Sequence, residues 1–315
     1  MRLNTRGFTL AVAVGLAVST LGATAANAEV TEYSDAAAVL TDILPESLAT
    51  ASPLSVSEGE LTAETSGATV TIPSDKIAPI QLNSGGAEIF IGIDAAASAA
   101  VLSATGNAAS FAHADGDASV ANINEDGSLR ITSVLQTPDS PDSFSYTYTG
   151  VDLVLFEDGG VVGYDENGAV QLLVELPWAF DAKGTPVPTW YELEGNVLTQ
   201  VVDHSSATLQ YPIAADPTNY GGNTMYKNIS AAVDPEGGDK VSATVGTYNF
   251  SRASDSAIWE SYKSLVPAKY EAETMRKQLI CHARNIGAVK NPWNLETRRP
   301  NVSYANFVLN LCNPN

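Results

Sequence analysis

The chain has 315 residues, with 36 Asp and Glu against 16 Lys and Arg, a net charge of −20 and a pI near 4.3. So acidic a surface repels nucleic acid and anionic lipid and favours solubility or divalent cations, so no nucleic-acid partner is expected. The length allows one large domain or two ordinary ones, and charge divides it. Residues 29–220 hold 28 acidic residues against 3 basic ones, and residues 221–315 hold 8 against 11.

Residues 1–28 carry Arg2 and Arg6, an apolar run from Phe8 to Leu21, and then ATAANA. A basic start, a short apolar stretch and a small-x-small end predict a signal peptide cut after Ala28. The apolar run is shorter than the ~20 residues a permanent span needs, and no later run is long enough. With no Cys at the cut to carry a lipid, the mature chain is expected to be secreted, extracellular and without a membrane anchor.

A short helix is predicted over Val39, Leu40, Ile43 and Leu44, capped by Ser34 and ending near Pro45. The Ala/Ser/Thr/Glu-rich stretch that follows completes a helix-and-linker segment over 29–64. From 65 to 218 the signal is β. Short Val-, Ile-, Thr- and Tyr-rich runs are separated by turn residues such as Gly85-Gly86, Asp126-Gly127, Asn167-Gly168 and Glu194-Gly195. That pattern predicts an acidic β-rich domain built as a meander of hairpins. The Gly/Ala-rich stretch 95–110 fits either a brief helix or a loop. Pro217, Gly221 and Gly222 read as a hinge, beyond which residues 219–315 form a small α+β domain. Its parts are a hairpin around Pro235, two helices through Ile258, Trp259, Tyr262 and Leu265 and through Met275, Leu279 and His282, and a tail with Tyr304, Phe307, Val308 and Leu311. The fold class is α+β.

Cys281 and Cys312 are the only cysteines, and in an exported protein two cysteines most simply form one disulfide. Closing that loop stabilises a small domain by about 3.5 kcal/mol in the chain-entropy model. A bridged sulfur is no nucleophile, and neighbours on a helix point about 100° apart, so Cys281-His282 is not a catalytic dyad. The sharper possibility pairs His282 with Glu296, Arg298 and Arg299 as an acid–base site with a basic clamp, suited to phosphodiester cleavage. The alternative is a His that simply packs.

The chain lacks Gly-x-Ser-x-Gly and His-Glu-x-x-His, and no metal or cofactor is expected. Acidic turns at Asp115, Asp117, Glu125, Asp126 and Asp165 could meet calcium, but the 12-residue loop with its closing Glu is missing. Trp178, Trp190, Tyr191 and Tyr211 lie in one segment punctuated by Pro177, Pro186, Pro188 and Pro212. Proline in strands marks sheet edges. Aromatics exposed there would suit a carbohydrate, peptide or protein partner, whereas aromatics facing inward would only fill the core.

Cys281-His282-Ala283, Trp293-Asn294-Leu295-Glu296, Arg299-Pro300 and Cys312-Asn313-Pro314 form a motif string over roughly residues 223–315. It resembles the ending of a family of exported actinobacterial proteins, the domain of unknown function numbered 2599. The resemblance implies export and no known activity, so it supplies no catalytic residues. Together these readings give a secreted binding protein, with an unknown extracellular protein or cell-wall ligand as partner. The alternative is an exported effector, a nuclease-like toxin centred on His282.

Overall fold

Alternation of apolar and polar residues builds most of the chain. In the computed structural model, which describes residues 36–246 and 248–315, helix α1 (Ala36–Ile43) precedes twenty strands before the first C-terminal helix. The predicted signal peptide, its cut after Ala28 and the Ser34 cap lie outside the described residues.

The strands are β1 (Ser55–Ser57), β2 (Glu60–Thr65), β3 (Ala68–Pro73), β4 (Ile80–Ser84), β5 (Ala87–Ile93), β6 (Val101–Leu102) and β7 (Ala109–Ala112). Next come β8 (Ala118–Ile123), β9 (Leu129–Leu135), β10 (Ser143–Thr149), β11 (Asp152–Leu155), β12 (Val161–Tyr164), β13 (Val170–Val174) and β14 (Trp178–Phe180). The last of the twenty are β15 (Thr189–Glu194), β16 (Val197–Val202), β17 (Ile213–Asp216), β18 (Thr218–Gly221), β19 (Tyr226–Val233) and β20 (Asp239–Val245).

Two sheets stack as a sandwich. One runs β1-β2-β3-β4-β5-β10-β16-β15, and the other runs β11-β12-β13-β18-β9-β8-β7-β6, with β17 on β9 and β14 on β17. Every second residue of the first sheet, including Val70, Ile72, Leu82, Ile89, Ile91, Tyr146 and Tyr148, points into one core with Ile123, Ile131, Val161, Leu172 and Val174 of the second. The expected meander describes β1–β5, β6–β9 and β11–β13. Between these runs the chain crosses from sheet to sheet, so the architecture is a sandwich rather than one continuous meander. Of the undecided stretch 95–110, residues 101–102 form β6, and Ala96 makes a β-bridge to His113.

Two sequence expectations are corrected. The stretch 49–64, expected as linker, contains β1 and most of β2, because Leu61 and Ala63 alternate inward and join the core. The segment 217–222, expected as hinge, contains β18, held between β13 and β9, and is buried throughout, and the boundary expected at 218/219 falls inside that strand. Its glycines serve close approach, not flexibility. A Cβ on Gly221 would come within 2.9 Å of Ser84 Cβ, and one on Gly222 within 3.2 Å of the Ser84 carbonyl oxygen. The partner surface is the β4–β5 turn, where Gly85 and Gly86 both take positive φ, as a tight two-residue hairpin requires.

The second sheet is buried on both faces. Val161 faces the sandwich core while Val162 faces outward, and Leu172 and Leu173 divide the same way. Helix α1, through Ala37 and Leu40, and the following Leu44 cover one part of the outer face against Val120, Val134 and Trp178.

The carboxy-terminal part covers another. It is a three-stranded sheet, β19-β20-β21 with β21 at Trp293–Glu296, and helices α2 (Asp255–Lys263), α3 (Glu273–Cys281) and α4 (Tyr304–Leu309). Its core of Val241, Ala243, Ile258, Tyr262, Met275, Leu279, Trp293 and Leu295 is continuous with Val162, Leu173 and Tyr220 of the sandwich. Ser254 caps α2 by accepting from the Ala257 amide at 2.9 Å. It does so directly over Gly160, where a Cβ would fall within 2.6 Å of Ser254 Cβ. Cys281 and Cys312 form the expected disulfide, and both are buried with Phe307.

Candidate functional site: a groove at the sandwich edge

The residues proposed for acid–base chemistry do not meet as a site. His282 follows α3 and is fully buried; its Nδ1–H donates to the Gln278 carbonyl at 2.8 Å, and its ring lies 6.2 Å from that of Trp293. Burial holds its pKa below the usual imidazole value. Its Nε2 is buried without a hydrogen-bond partner, and no hydrogen bond joins the ring to Glu296, Arg298 or Arg299. Those three have other work. Glu296 accepts from Arg299 Nε at 2.6 Å and lies 2.9 Å from an Arg298 nitrogen. Arg298 also pairs with Asp234 and Glu236, tying the β19–β20 turn to β21. Arg299 donates to the carbonyls of Asn313 and Pro314 and holds the C-terminal tail in place. The expected basic clamp grips its own chain.

The four aromatics separate by strand alternation. In β15 Tyr191 points inward and donates to the Asp216 carbonyl at 3.4 Å, while Trp190 points outward and stays 45% exposed. Trp178 is buried. Half-buried Tyr211 holds His204, its hydroxyl 2.6 Å from Nδ1.

Because β15 ends its sheet, Trp190 stands at a true edge. Beside it an open groove of about 430 Å³ is lined by Pro138, Ser140, Asp142, Trp190, Val201, Val202, Asp203, His204 and Ser205. The strand ends set this geometry. Val201 is the cross-strand neighbour of Trp190 in β16, and the Val202 amide bonds the Asp142 carbonyl at 2.7 Å. The hydroxyl and amide of Ser205 hold the Asp203 carboxyl below its usual pKa. Behind the groove, Asp117 accepts from Ser140 at 2.8 Å and from the Gln136 amide at 2.9 Å, and burial raises its pKa. The arrangement joins an aromatic platform, a short apolar floor and carboxylates, the composition of a site for a small polar ligand.

The acidic turns mostly serve their own backbones. Asp115, Asp126 and Asp165 accept from amides two residues on. Among the described residues no group of three His, Cys, Asp or Glu side chains is placed to hold a metal ion.

Sequence reasoning missed a buried charge network on the outer face of the second sheet. Arg130 of β9 lies 3.2 Å from fully buried Asp216, and Arg252 lies 4.0 Å from buried Glu175. Both guanidiniums sit over the Trp178 ring, at 5.8 and 5.5 Å from its centroid. Tyr220 donates to Glu175 at 3.2 Å and Thr218 donates to Asp216. Burial, then mutual repulsion, pushes Glu175 up to about 7, and burial pushes Asp216 up to about 6. Two signals could have found it. Arg130 is the single arginine between residues 29 and 220, near the start of the strand LRITSVL, and Glu175 interrupts the run QLLVELPW.

Residues 236–315 match the model of a family described as a protein of unknown function, DUF2599. The match takes in both cysteines, Arg252, Trp293 and Glu296, and leaves the sandwich outside. No curated protein matches the chain, and no solved structure does.

Proposed function

We propose, for a chain whose residues 236–315 carry this domain of unknown function, that it is an exported, extracellular or wall-associated binding protein without catalysis of its own. Its ligand sits in the groove beside Trp190. The observation that carries this reading is the contrast between an indole left open on a sheet edge beside a groove and a histidine sealed under Trp293. Export fits a chain stapled by a disulfide, since such bonds persist in oxidising compartments. Among the described residues no helix is long and apolar enough to cross a membrane. The likeness to exported actinobacterial proteins and the removal of residues 1–28 belong to the same reading, as does a division into a β-rich domain and a carboxy-terminal domain.

The test is co-sedimentation of the secreted protein with purified cell-wall material. Wild type is retained, and Trp190→Ala is released with its melting temperature unchanged. Equal retention of both proteins would move the site elsewhere. Failure of wild type to bind walls or any extracellular fraction would end the reading.

A further inference from the structure

We infer that the free edge of β19 pairs with β19 of a second copy of this chain, antiparallel about a two-fold axis at Ala231. β19 and the Trp190 groove belong to different sheets. An edge strand offers a row of unpaired backbone donors and acceptors, and chains guard such rows by brevity, charge or proline. The other sheet edges among the described residues are guarded in those ways. β1 and β14 have three residues each, β6 two and β11 four. β15 carries Glu192 and Glu194, and β21 has four residues and follows Pro292. β19 runs for eight residues, and from Asn228 to Val233 it holds neither charge nor proline.

The hairpin sets which backbone groups face outward. The Asp234 amide donates to the Gly238 carbonyl at 2.9 Å, and alternation from that pair makes Ala232 and Ser230 exchange bonds with β20. Ile229, Ala231 and Val233 therefore turn their N–H and C=O groups away from β20, and among the described residues no hydrogen bond reaches them. The register irregularity is confined to Tyr226–Asn228 and leaves this stretch regular. The same three side chains share the face of Val241 and Ala243, which are buried in the carboxy-terminal core. Ala231 nevertheless stays exposed, and Val233 is 81% exposed.

This strip is complementary to itself. A two-fold at Ala231 sets Ile229 against Val233 of the second copy and Ala231 against its own counterpart, so every outward N–H and C=O of the three residues gains a partner. Charge selects the direction. Lys227 stands near the start of the strand, and Glu236, 72% exposed although paired with Arg298, stands in the turn beyond its end. Antiparallel pairing brings Lys227 of each copy beside the 235–236 turn of the other, whereas a parallel copy would set lysine beside lysine. The far edge, β21, is short and follows Pro292, so two three-stranded sheets join and the association closes at a dimer.

The experiment is sedimentation equilibrium of the secreted protein over a range of concentrations, with amide hydrogen exchange read at both ends of that range. A reversible monomer–dimer equilibrium is expected, and exchange at Ile229, Ala231 and Val233 slows by at least about tenfold as the dimer forms. Ala231→Pro removes an outward N–H and no bond to β20, so the fold persists and the dimer dissociation constant rises more than about tenfold. Lys227→Glu weakens the dimer about fivefold, and adding Glu236→Lys restores most of the loss, a rescue that simple destabilisation would not give.

A monomer at every concentration overturns the assignment. So does a dimer that leaves the three amides exchanging freely or that Ala231→Pro leaves intact, since its contact then lies elsewhere. Protection that appears only when other extracellular proteins are added also overturns it, and gives the edge to a foreign strand. If Ala231→Pro fails to fold, the exchange pattern of wild type and the charge swap decide.

Discussion

The two faces of the ten-stranded sheet are both buried, yet they are held by different physics. The inner face meets the first sheet through Ile, Leu, Val and tyrosine side chains, where burial is non-directional and proportional to area. Part of the outer face closes over Glu175, Asp216, Arg130 and Arg252, threaded around Trp178. Buried ions gain little net stability over apolar packing, because desolvation offsets their attraction. They instead penalise every arrangement that leaves one of them unpaired. The inner face therefore supplies most of the stability, whereas Arg252 reaches Glu175 from the carboxy-terminal part only at 4.0 Å and with 37% of its side chain exposed, a weak contact.

The largest effect expected on this contrast comes from breaking one ion pair from one side. Arg130→Met leaves Asp216 buried without its nearest cation and should lower stability by about 3–5 kcal/mol, measured by urea unfolding. A loss below about 1 kcal/mol would mean the outer face is as forgiving as an apolar one.

Removing the disulfide comes next. Cys281→Ala with Cys312→Ala should lower stability by about 2–5 kcal/mol. Because Val162, Leu173 and Tyr220 of the sandwich share the carboxy-terminal core, the loss should appear in a transition common to both parts. Two resolved melting transitions, with the sandwich unaffected, would restore the view of independent domains.

A third prediction concerns pH. Folded Glu175 titrates near 7 against an ordinary 4.5, and Asp216 near 6 against 3.8. The folded state therefore binds protons that the unfolded state has released. Stability from this pair is fully present below the unfolded values and is lost as pH rises through 6 and 7. Acidification from pH 8 to pH 5 should stabilise the protein by roughly 3 kcal/mol through this pair, and Glu175→Gln should flatten that dependence. A stability curve that is flat or falls over that range in wild type would contradict the assignment.

The smallest expected effect sharpens the docking. Gly160→Ala places a methyl against Ser254 and should cost about 1–3 kcal/mol while Ser254→Gly restores much of it. Additive effects of the two changes would show that the contact is not made.

Reading the chain locally reached far. Alternation in VLTQVV places Val197, Thr199 and Val201 on one face of β16 and Leu198, Gln200 and Val202 on the other, and the structure keeps that division. The β4–β5 turn was legible from Gly85-Gly86 because glycine takes φ > 0 at both positions without steric cost. The helices of the carboxy-terminal part were legible from spacing, though Leu265 lies beyond the end of α2. The edge position of Trp190 was legible from the prolines around it, but its exposure was not separable from the burial of Tyr191 and Trp178.

What sequence by itself determined is the set of local properties: β-rich character, the acidic balance, hairpin turns and the pairing of the only two cysteines. Tertiary structure alone decided what each surface was for. Gly221 and Gly222 read as a hinge because glycine permits bending, and only the approach of Ser84 shows that they are there for lack of a Cβ. Arg298 and Arg299 read as a clamp for a ligand because a guanidinium is the same wherever it points, and only the fold aims them at Asp234, Glu296 and the tail. Burial and the partner of a charge depend on residues far apart in the chain. Glu175, Asp216, Arg130 and Arg252 span more than a hundred positions, and no periodicity in one segment encodes their meeting.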